Sequence, residues 1–267
     1  MPTLTTSAGA VLHYTDTSAG LPVIFLHGWL MSGKVWHYQQ PLADRYRLIA
    51  LDLRGHGEST GPDGYALADF AADLVALVDQ LSLPRVVVVG WSLGAQVALQ
   101  AASLLGGRLA GLVLIGATPR FSAGDGFEHG LPPSEARGMG LRLKRQFLRT
   151  AGEFFTGMFA PAELDGRQRQ AIARQVVGRL PEPPAALAAL GTLASADLRP
   201  LLPCVHQPVL LIHGTADTIC LAAAPRYLAG QLPAARLQLM RGLGHAPFLS
   251  RPEQVNQLLG DFLESLH

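Results

Sequence analysis

Cysteine is scarce in this sequence, with only Cys204 and Cys220 among 267 residues. Two cysteines are too few for a disulfide framework, so we predict a cytoplasmic protein from a reducing compartment. No pair of histidines or cysteines has the spacing of metal ligands on one helix face, and we expect neither a metal nor another cofactor. Residues 1–6 lack a basic segment followed by an apolar one, which argues against a signal peptide.

Charged residues are also few, at 15% of the chain, and the formal net charge is only +1. Without a basic excess, the composition gives no reason to expect nucleic-acid binding. Hydrophobic residues make up 49% of the chain, which favours one globular domain, expected to be a monomer. The longest apolar region, residues 86–117, contains Gln96, Gln100 and Arg108. We therefore interpret it as strand, buried helix and strand rather than as a membrane span.

Short apolar runs bounded by Gly, Pro or Asp recur along the chain. The six runs are residues 23–26, 48–51, 86–89, 112–115, 209–212 and 237–240. Helical periodicity separates several of them, for example at Leu67, Phe70 and Leu74. Continuous apolar strands are typical of a parallel sheet that helices cover on both faces. The pattern predicts an α/β fold with a mostly parallel central sheet, and residues 4–6 and 11–14 predict a hairpin at one edge.

The alternation of predicted strands and helices is interrupted in residues 120–199. This stretch has no strong strand candidate and contains helix-like pieces at residues 141–155 and 167–180. We expect it to form an insertion that lies over the sheet as a lid. The single domain, residues 1–267, then divides into a core, residues 1–119 and 200–267, and the lid insertion, residues 120–199.

The insertion is locally basic in a neutral protein. Between residues 137 and 179, three acidic residues, Glu153, Glu163 and Asp165, stand against nine basic ones. The basic residues are Arg137, Arg142, Lys144, Arg145, Arg149, Arg167, Arg169, Arg174 and Arg179. Two interpretations stay open: a solvated helical face and a docking surface for an acidic partner.

Ser92 lies in the pattern G-x-S-x-G, read as "GWSLG" at residues 90–94. An apolar run precedes it and a helix-like segment follows it. In a nucleophile elbow the serine occupies a strained strand-to-helix turn, and the flanking glycines relieve crowding where the two backbones nearly touch. The helix that begins there directs free N–H groups toward the site. The pattern predicts that Ser92 is a nucleophile.

A serine nucleophile needs a histidine base oriented by an acid. His245 follows the last predicted strand, and Asp217 follows the strand before it, so both are expected at the carboxyl edge of the sheet. The order Ser92, Asp217, His245 is the order of an α/β-hydrolase triad. Asp125, on the loop after an earlier strand, is the alternative acid.

The serine site also needs backbone donors for an oxyanion. The turn His27-Gly28-Trp29 follows the first long strand and can present the N–H of Trp29, while the N–H of Leu93 is the second donor. The Trp29 side chain either lines the acyl pocket or packs in the core.

These motifs together resemble the α/β-hydrolase family over nearly the whole chain. The resemblance includes "DLRGHGES" at residues 52–59 and, within the family, is strongest to the pimeloyl-acyl-carrier-protein methyl ester esterases. Their features match "LHGW" at residues 26–29, "GWSLG" at 90–94, "FSA" at 121–123, "DLR" at 197–199 and "HAPF" at 245–248.

The resemblance implies a serine carboxylesterase that demethylates an acyl chain carried on an acyl carrier protein, in biotin biosynthesis. It implies that Phe147 and Ala151, at the ends of the stretch "FLRTA", bind substrate in the acyl channel together with Trp29. Since carrier proteins are acidic, the basic insertion would dock them. Two alternatives stay open: a general short-chain esterase, lactonase or C–C hydrolase, and a non-catalytic receptor with the same fold.

Overall fold

All six apolar runs form strands of one sheet in the computed structural model, which describes residues 2–17, 19–62 and 64–266. Met1 and His267, the ends of the predicted domain, lie outside the described residues. The strands are β1 (Thr3–Thr5), β2 (Val11–Asp16), β3 (Leu21–Leu26), β4 (Tyr46–Leu51), β5 (Val86–Trp91), β6 (Leu109–Ile115), β7 (Val209–Gly214) and β8 (Ala235–Met240).

The sheet has the order β1-β2-β4-β3-β5-β6-β7-β8. The first two strands pair antiparallel as the predicted edge hairpin, and β2 pairs antiparallel with β4. All pairs from β4 to β8 are parallel. The predicted α/β class is confirmed, and the parallel strands bring the residues that follow β3, β5, β7 and β8 to one edge.

Helices cover both faces of this sheet. They are α1 (Leu67–Gln80), α2 (Leu93–Leu105), α3 (Pro133–Arg145), α4 (Phe147–Gly157), α5 (Gly166–Val176), α6 (Pro183–Ser195), α7 (Ala224–Gln231), α8 (Pro247–Ser250) and α9 (Pro252–Glu264). Helices α1, α2 and α7 bury their apolar residues in one core cluster. Helix α9 and the 3-10 segment Gly33–Asp44 pack in a second cluster on the opposite face. In the described parts of the chain, no helix is long and apolar enough to cross a membrane.

Helices α3 to α6 all lie between β6 and β7, in the segment predicted as the insertion. Their boundaries differ from the helix-like pieces expected from sequence. The first piece, residues 141–155, spans two helices that break at Gln146, whose φ of −146° and ψ of 62° are not helical. The second piece, residues 167–180, is helical only as far as Val176, the last residue of α5. Prolines start α3 and α6, where the missing N–H costs nothing.

An ion-pair network joins the two ends of the insertion. Arg120, at its beginning, pairs with Asp125 at 2.6 Å and with Asp197 at 3.2 Å. Arg199, at its end, pairs with Asp197 at 2.6 Å and donates to the carbonyl of Asp125 at 3.0 Å. The hydrogen bond from Arg199 holds the pKa of the Asp197 carboxyl below its ordinary value. The network therefore joins the two ends of the insertion to each other.

A buried ion pair supports the loop after β4. Arg54 donates two hydrogen bonds of 2.6 Å to the carboxylate of Asp73 on α1, and both side chains are almost fully buried. Arg54 also donates to the carbonyls of Gly64 and Asp69. A buried guanidinium needs this complete set of acceptors, because an unpaired buried charge is strongly destabilising.

Replacement of Asp73 by asparagine is expected to lower the free energy of unfolding by about 3 kcal/mol or more, because it leaves the Arg54 charge buried without its counterion. Urea denaturation at pH 7 measures this change. Asp79→Asn is the matched control, since Asp79 lies on the same helix and pairs with Arg108 in solvent. Its cost should be below about 1 kcal/mol. Equal losses in the two variants would contradict the prediction.

Candidate active site

Ser92 occupies the turn between β5 and α2, with φ of 55° and ψ of −114°. This is a left-handed conformation that a residue with a side chain adopts only under strain. A Cβ on Gly90 would lie 2.4 Å from the carbonyl oxygen of Gly94, and one on Gly94 would lie 2.3 Å from that of Leu26. The backbones of β5, α2 and β3 thus meet with no room for side chains, as the G-x-S-x-G pattern predicts.

The loop that carries His245 lies directly against this turn. The indole Nε1–H of Trp91, the residue before Ser92, donates to the carbonyl of His245 at 3.0 Å. The N–H of Ser92 donates to Ile115 at 3.0 Å, and a Cβ on the next residue, Gly116, would lie 2.9 Å from Nδ1 of His245. The turn of Ser92 and the loop of His245 therefore pack together at the carboxyl edge of the sheet.

Asp217 holds the imidazole of His245 from the other side. Its Oδ2 lies 2.8 Å from Nδ1 of His245, and both side chains are buried. Its Oδ1 accepts the backbone N–H groups of Ile219 at 2.8 Å and Cys220 at 2.9 Å. The carboxylate is thus fixed by its own loop and directed at one ring nitrogen.

The electrostatics of the pair favour an ionised Asp217. Burial opposes ionisation, but the positive potential of His245 and hydrogen bonds from His213 and His245 outweigh it and hold the pKa of the Asp217 carboxyl below its ordinary value. A carboxylate can only accept at Nδ1 of His245, so Nδ1 carries a proton, and in the neutral imidazole the acceptor is Nε2. Nε2 is buried and has no hydrogen-bond partner among the described residues.

The alternative acid, Asp125, lies elsewhere. Its side chain is 82% exposed and pairs with Arg120 in the network at the base of the insertion. The structure therefore brings Asp217, and not Asp125, to His245.

The turn after β3 carries Trp29, the other residue predicted to donate a backbone N–H. Within the described residues, the N–H groups of Trp29 and Leu93 donate to no backbone acceptor. His27 fixes this turn, because its imidazole donates through Nδ1 to the carbonyl of Gly28 at 2.8 Å and accepts the N–H of Leu53 at 2.9 Å through Nε2. Leu30 has a φ of 61°, which reverses the chain immediately after Trp29.

The Trp29 side chain ties this turn to the insertion. Its indole N–H donates to the carbonyl of Ala186 on α6 at 2.8 Å, and its ring meets Phe154 of α4 edge-on at 4.9 Å. Ala151, predicted to bind substrate, lines an apolar cavity of about 250 Å³ beside the turn. Phe147, predicted with it, is half-buried against the core cluster and is not part of the cavity wall.

The sequence profile of the alpha/beta hydrolase family matches residues 23–258. The chain belongs to the alpha/beta hydrolase family. This confirms the family that the motifs predicted, and it covers the core strands, the turn at Ser92 and the insertion.

Individual members of the family are similar to this hydrolase over nearly its full length. A pimeloyl-acyl-carrier-protein methyl ester esterase of Nitrosomonas europaea is 37% identical, covering 92% of this chain and 96% of the relative. One of Methylococcus capsulatus is 36% identical, with 94% and 98% covered. The crystallised esterase from Exiguobacterium antarcticum superposes with a TM-score of 0.91 at 26% identity, with 98% of each chain covered. These relatives confirm the resemblance that the sequence motifs indicated.

Several contacts in this hydrolase site were not predicted from the sequence. Trp91 bonds the His245 carbonyl, and Met158 accepts the His245 N–H at 2.7 Å. Trp91 lies inside the G-x-S-x-G pattern, next to Ser92, so the sequence indicated that it lies near the site. Met158 lies in the insertion, far away in sequence, and no motif indicates it.

Two buried histidines lie in the loops after β3 and β4. The rings of His27 and His56 lie 5.3 Å apart. Burial lowers the pKa of His27 to about 4. Burial, with a smaller effect of His27, lowers the pKa of His56 to about 3. Both imidazoles are therefore neutral in the folded protein at pH 5, whereas an unfolded histidine titrates near pH 6.5.

The hydrolase is expected to lose stability on acidification from about pH 6.5 to pH 4, because the unfolded chain binds protons there that the folded protein excludes. Each of the two histidines contributes a slope of up to about 1.4 kcal/mol per pH unit, and stability is greatest above pH 6.5. Urea denaturation at pH 7, 6, 5 and 4 measures the slope.

His56→Gln should reduce this slope by the share of one histidine, whereas His37→Gln, at an exposed position, should leave it unchanged. A free energy of unfolding that stays constant between pH 6.5 and pH 4 in the unmodified protein would refute the prediction.

Proposed function

We propose that the protein is a serine carboxylesterase that works through an acyl-enzyme, with Ser92 as nucleophile, His245 as base and Asp217 as the orienting acid. One observation carries the proposal: His245, held through Nδ1 by an ionised Asp217, has a buried, unpartnered Nε2 and lies on a loop that packs against the strained turn of Ser92. A lone pair of this kind, excluded from solvent, is suited to accept a proton from a hydroxyl.

In the first half of the reaction, the Ser92 hydroxyl attacks the ester carbonyl while its proton passes to Nε2 of His245. The developing oxyanion accepts hydrogen bonds from the N–H groups of Trp29 and Leu93, and each such donor contributes about 3 kcal/mol to stabilising the transition state. The imidazolium is stabilised by Asp217 and returns the proton to the leaving alcohol. An acyl-Ser92 ester remains.

In the second half, a water molecule attacks the acyl-Ser92 ester and gives its proton to Nε2 of His245. The same two N–H groups bind the second oxyanion, and the proton returns to Oγ of Ser92 as the acid leaves. No step needs a metal or an organic cofactor.

The proposed substrate is the methyl ester of pimeloyl-acyl carrier protein, with methanol as the leaving alcohol. The relatives in Nitrosomonas europaea and Methylococcus capsulatus carry this activity in their names and are 37% and 36% identical to this chain. We further propose that residues 120–199 act as a lid over the site, in a monomeric cytoplasmic protein.

The cavity beside Trp29 is the proposed site for part of the acyl chain. Its wall is apolar and includes Leu30, Met31, Ala151, Phe154 and Met158. An acyl chain placed there gains roughly 0.8 kcal/mol for each methylene removed from water. Phe147 packs on α4 next to this region, and its contact with substrate stays a prediction.

A groove between α3 and α6 is the proposed docking surface for the carrier protein. It measures about 690 Å³ and is lined by Arg120, Arg137 and Lys144 over an apolar floor that includes Leu141 and Leu190. The lining residues include no acidic side chain. Among described residues, no ion pair involves the α3 cations Arg137, Arg142, Lys144 and Arg145. Unpaired cations around an apolar groove would attract an acidic partner and orient it.

A general esterase without a carrier partner is the second candidate. The crystallised esterase from Exiguobacterium antarcticum supports it, since its fold matches with a TM-score of 0.91. The two candidates share their chemistry and differ in whether the carrier protein contributes to binding, so substrate comparison separates them.

Ser92→Ala is expected to lower kcat for p-nitrophenyl acetate by roughly 10⁴-fold or more, because the nucleophile is lost. A fluorophosphonate should add one covalent label to the unmodified protein, located at Ser92 by peptide mass spectrometry. Ser103→Ala, at an exposed position on α2, is the control and should keep full activity. Full turnover by Ser92→Ala would overturn the mechanism, and an unmodified protein without turnover or label would indicate a receptor.

The double reversal Arg137→Glu with Lys144→Glu is expected to raise KM for the carrier-bound methyl ester about tenfold, equivalent to roughly 1.4 kcal/mol of lost attraction. Free dimethyl pimelate should be hydrolysed at the unmodified rate. Arg167→Glu with Arg174→Glu is the matched control, since it makes the same charge change on α5, away from the groove. If the carrier-bound ester reacts equally well in all three proteins, the docking site is wrong.

A further inference from the structure

The chain between α4 and α5 packs directly against the loop that carries His245. A Cβ built on Gly244 would lie 2.4 Å from the carbonyl oxygen of Met158 and 2.7 Å from the nitrogen of Ala160. At these distances there is no room for a water molecule or a side chain between the two segments. The insertion therefore touches the backbone of the residue that precedes the proposed base.

Two consecutive N–H groups of this loop donate to the insertion. The N–H of His245 donates to the carbonyl of Met158 at 2.7 Å, and the N–H of Gly244 donates to Oε2 of Glu163 at 2.7 Å. Oε2 of Glu163 also accepts the N–H of Ala160 at 2.7 Å. One carboxylate oxygen thus joins the α4–α5 connection to the histidine loop.

The chemistry of Glu163 indicates that this bridge matters. A hydrogen bond to a carboxylate is roughly twice as strong as one between neutral groups. The second oxygen, Oε1, is buried and has no hydrogen-bond partner among the described residues, which carries a desolvation cost. A residue needed only to cover the loop could be apolar, whereas a carboxylate can hold two N–H groups on one oxygen.

We propose that Glu163 is a positioning residue for the reaction: it acts through the N–H of Gly244 to hold the His245 imidazole against Ser92. The proposal rests on the proposed function for the roles of His245 and Ser92. Glu163 touches neither of these side chains, and its effect passes through the loop backbone. Glu163 also links the insertion to the loop of His245. The site is therefore complete only while residues 158–164 are packed against the core.

Glu163→Ala is expected to lower kcat for p-nitrophenyl acetate by about tenfold to a hundredfold, since small misplacements of a catalytic group cost this much. KM should change less than twofold, because substrate contacts stay in place. Glu163→Gln keeps an acceptor oxygen and should restore kcat to within about fivefold of the unmodified value. The measurements are steady-state kinetics at pH 8 and urea denaturation of each variant.

Glu153 provides the matched control, since it is a solvent-exposed glutamate of α4 paired with Arg149. Glu153→Ala should leave kcat unchanged. An equal loss of kcat in Glu153→Ala and Glu163→Ala, or unmodified kcat in Glu163→Ala, would overturn the proposal. If Glu163→Ala does not fold, Glu163→Asp replaces it: the carboxylate is then one bond too short to reach Gly244. Lower kcat in that variant supports the role, and unmodified kcat refutes it.

A spectroscopic measurement separates failure of this proposal from failure of the proposed function. In protein labelled with ¹⁵N-histidine, the ring nitrogens of His245, assigned by comparison with His245→Gln, should shift in Glu163→Ala and not in Glu153→Ala. If the unmodified protein hydrolyses no ester, the proposed function fails while this shift still reports on positioning. If esters are hydrolysed and neither the His245 signals nor kcat respond to Glu163→Ala, only the positioning role fails.

Discussion

The close contact of three backbones at Gly90, Gly94 and Leu26 is the constraint on which the rest of the site depends. Because β5, α2 and β3 leave no space for side chains there, the chain must turn sharply between strand and helix. Ser92 carries that turn at a φ of 55°, a strain of roughly 1–3 kcal/mol. The largely buried strands β3 and β6 on either side hold the turn in place, which positions the serine at the edge of the sheet.

The loop of His245 is held from several sides, and each contact comes from a different part of the chain. Asp217 bonds the ring, Trp91 bonds the carbonyl, and Met158 bonds the N–H. Trp91 is adjacent to Ser92, so the serine turn and the histidine loop are held by one side chain. Such pre-organisation costs nothing at the moment of reaction, because the groups do not need to reorient.

The insertion contributes to the two core clusters as well as to the site. Helices α3, α4 and α6 pack in the cluster with α1 and α2, while the connection after α4 and helix α5 pack in the cluster with α9. Trp29 bonds α6, and the histidine loop bonds the chain near Glu163. Both the Trp29 turn and the His245 loop are therefore attached to this segment. The unpaired cations of α3 lie on the exposed surface of the insertion. The net charge of the whole protein, +1, does not reveal this local basic surface.

The sequence alone determined the parallel sheet and the identities of Ser92, Asp217 and His245 as candidates, because apolar runs and short motifs are local and each follows a strand. Tertiary structure decided what depends on distant contacts. It brought Asp217 to His245 and not the alternative acid Asp125, which also follows a strand in sequence but pairs with Arg120. It also ended α3 at Arg145 and placed Glu163 against Gly244. Local pattern fixes which residues reach the sheet edge, whereas packing between segments far apart in the chain decides which of them meet.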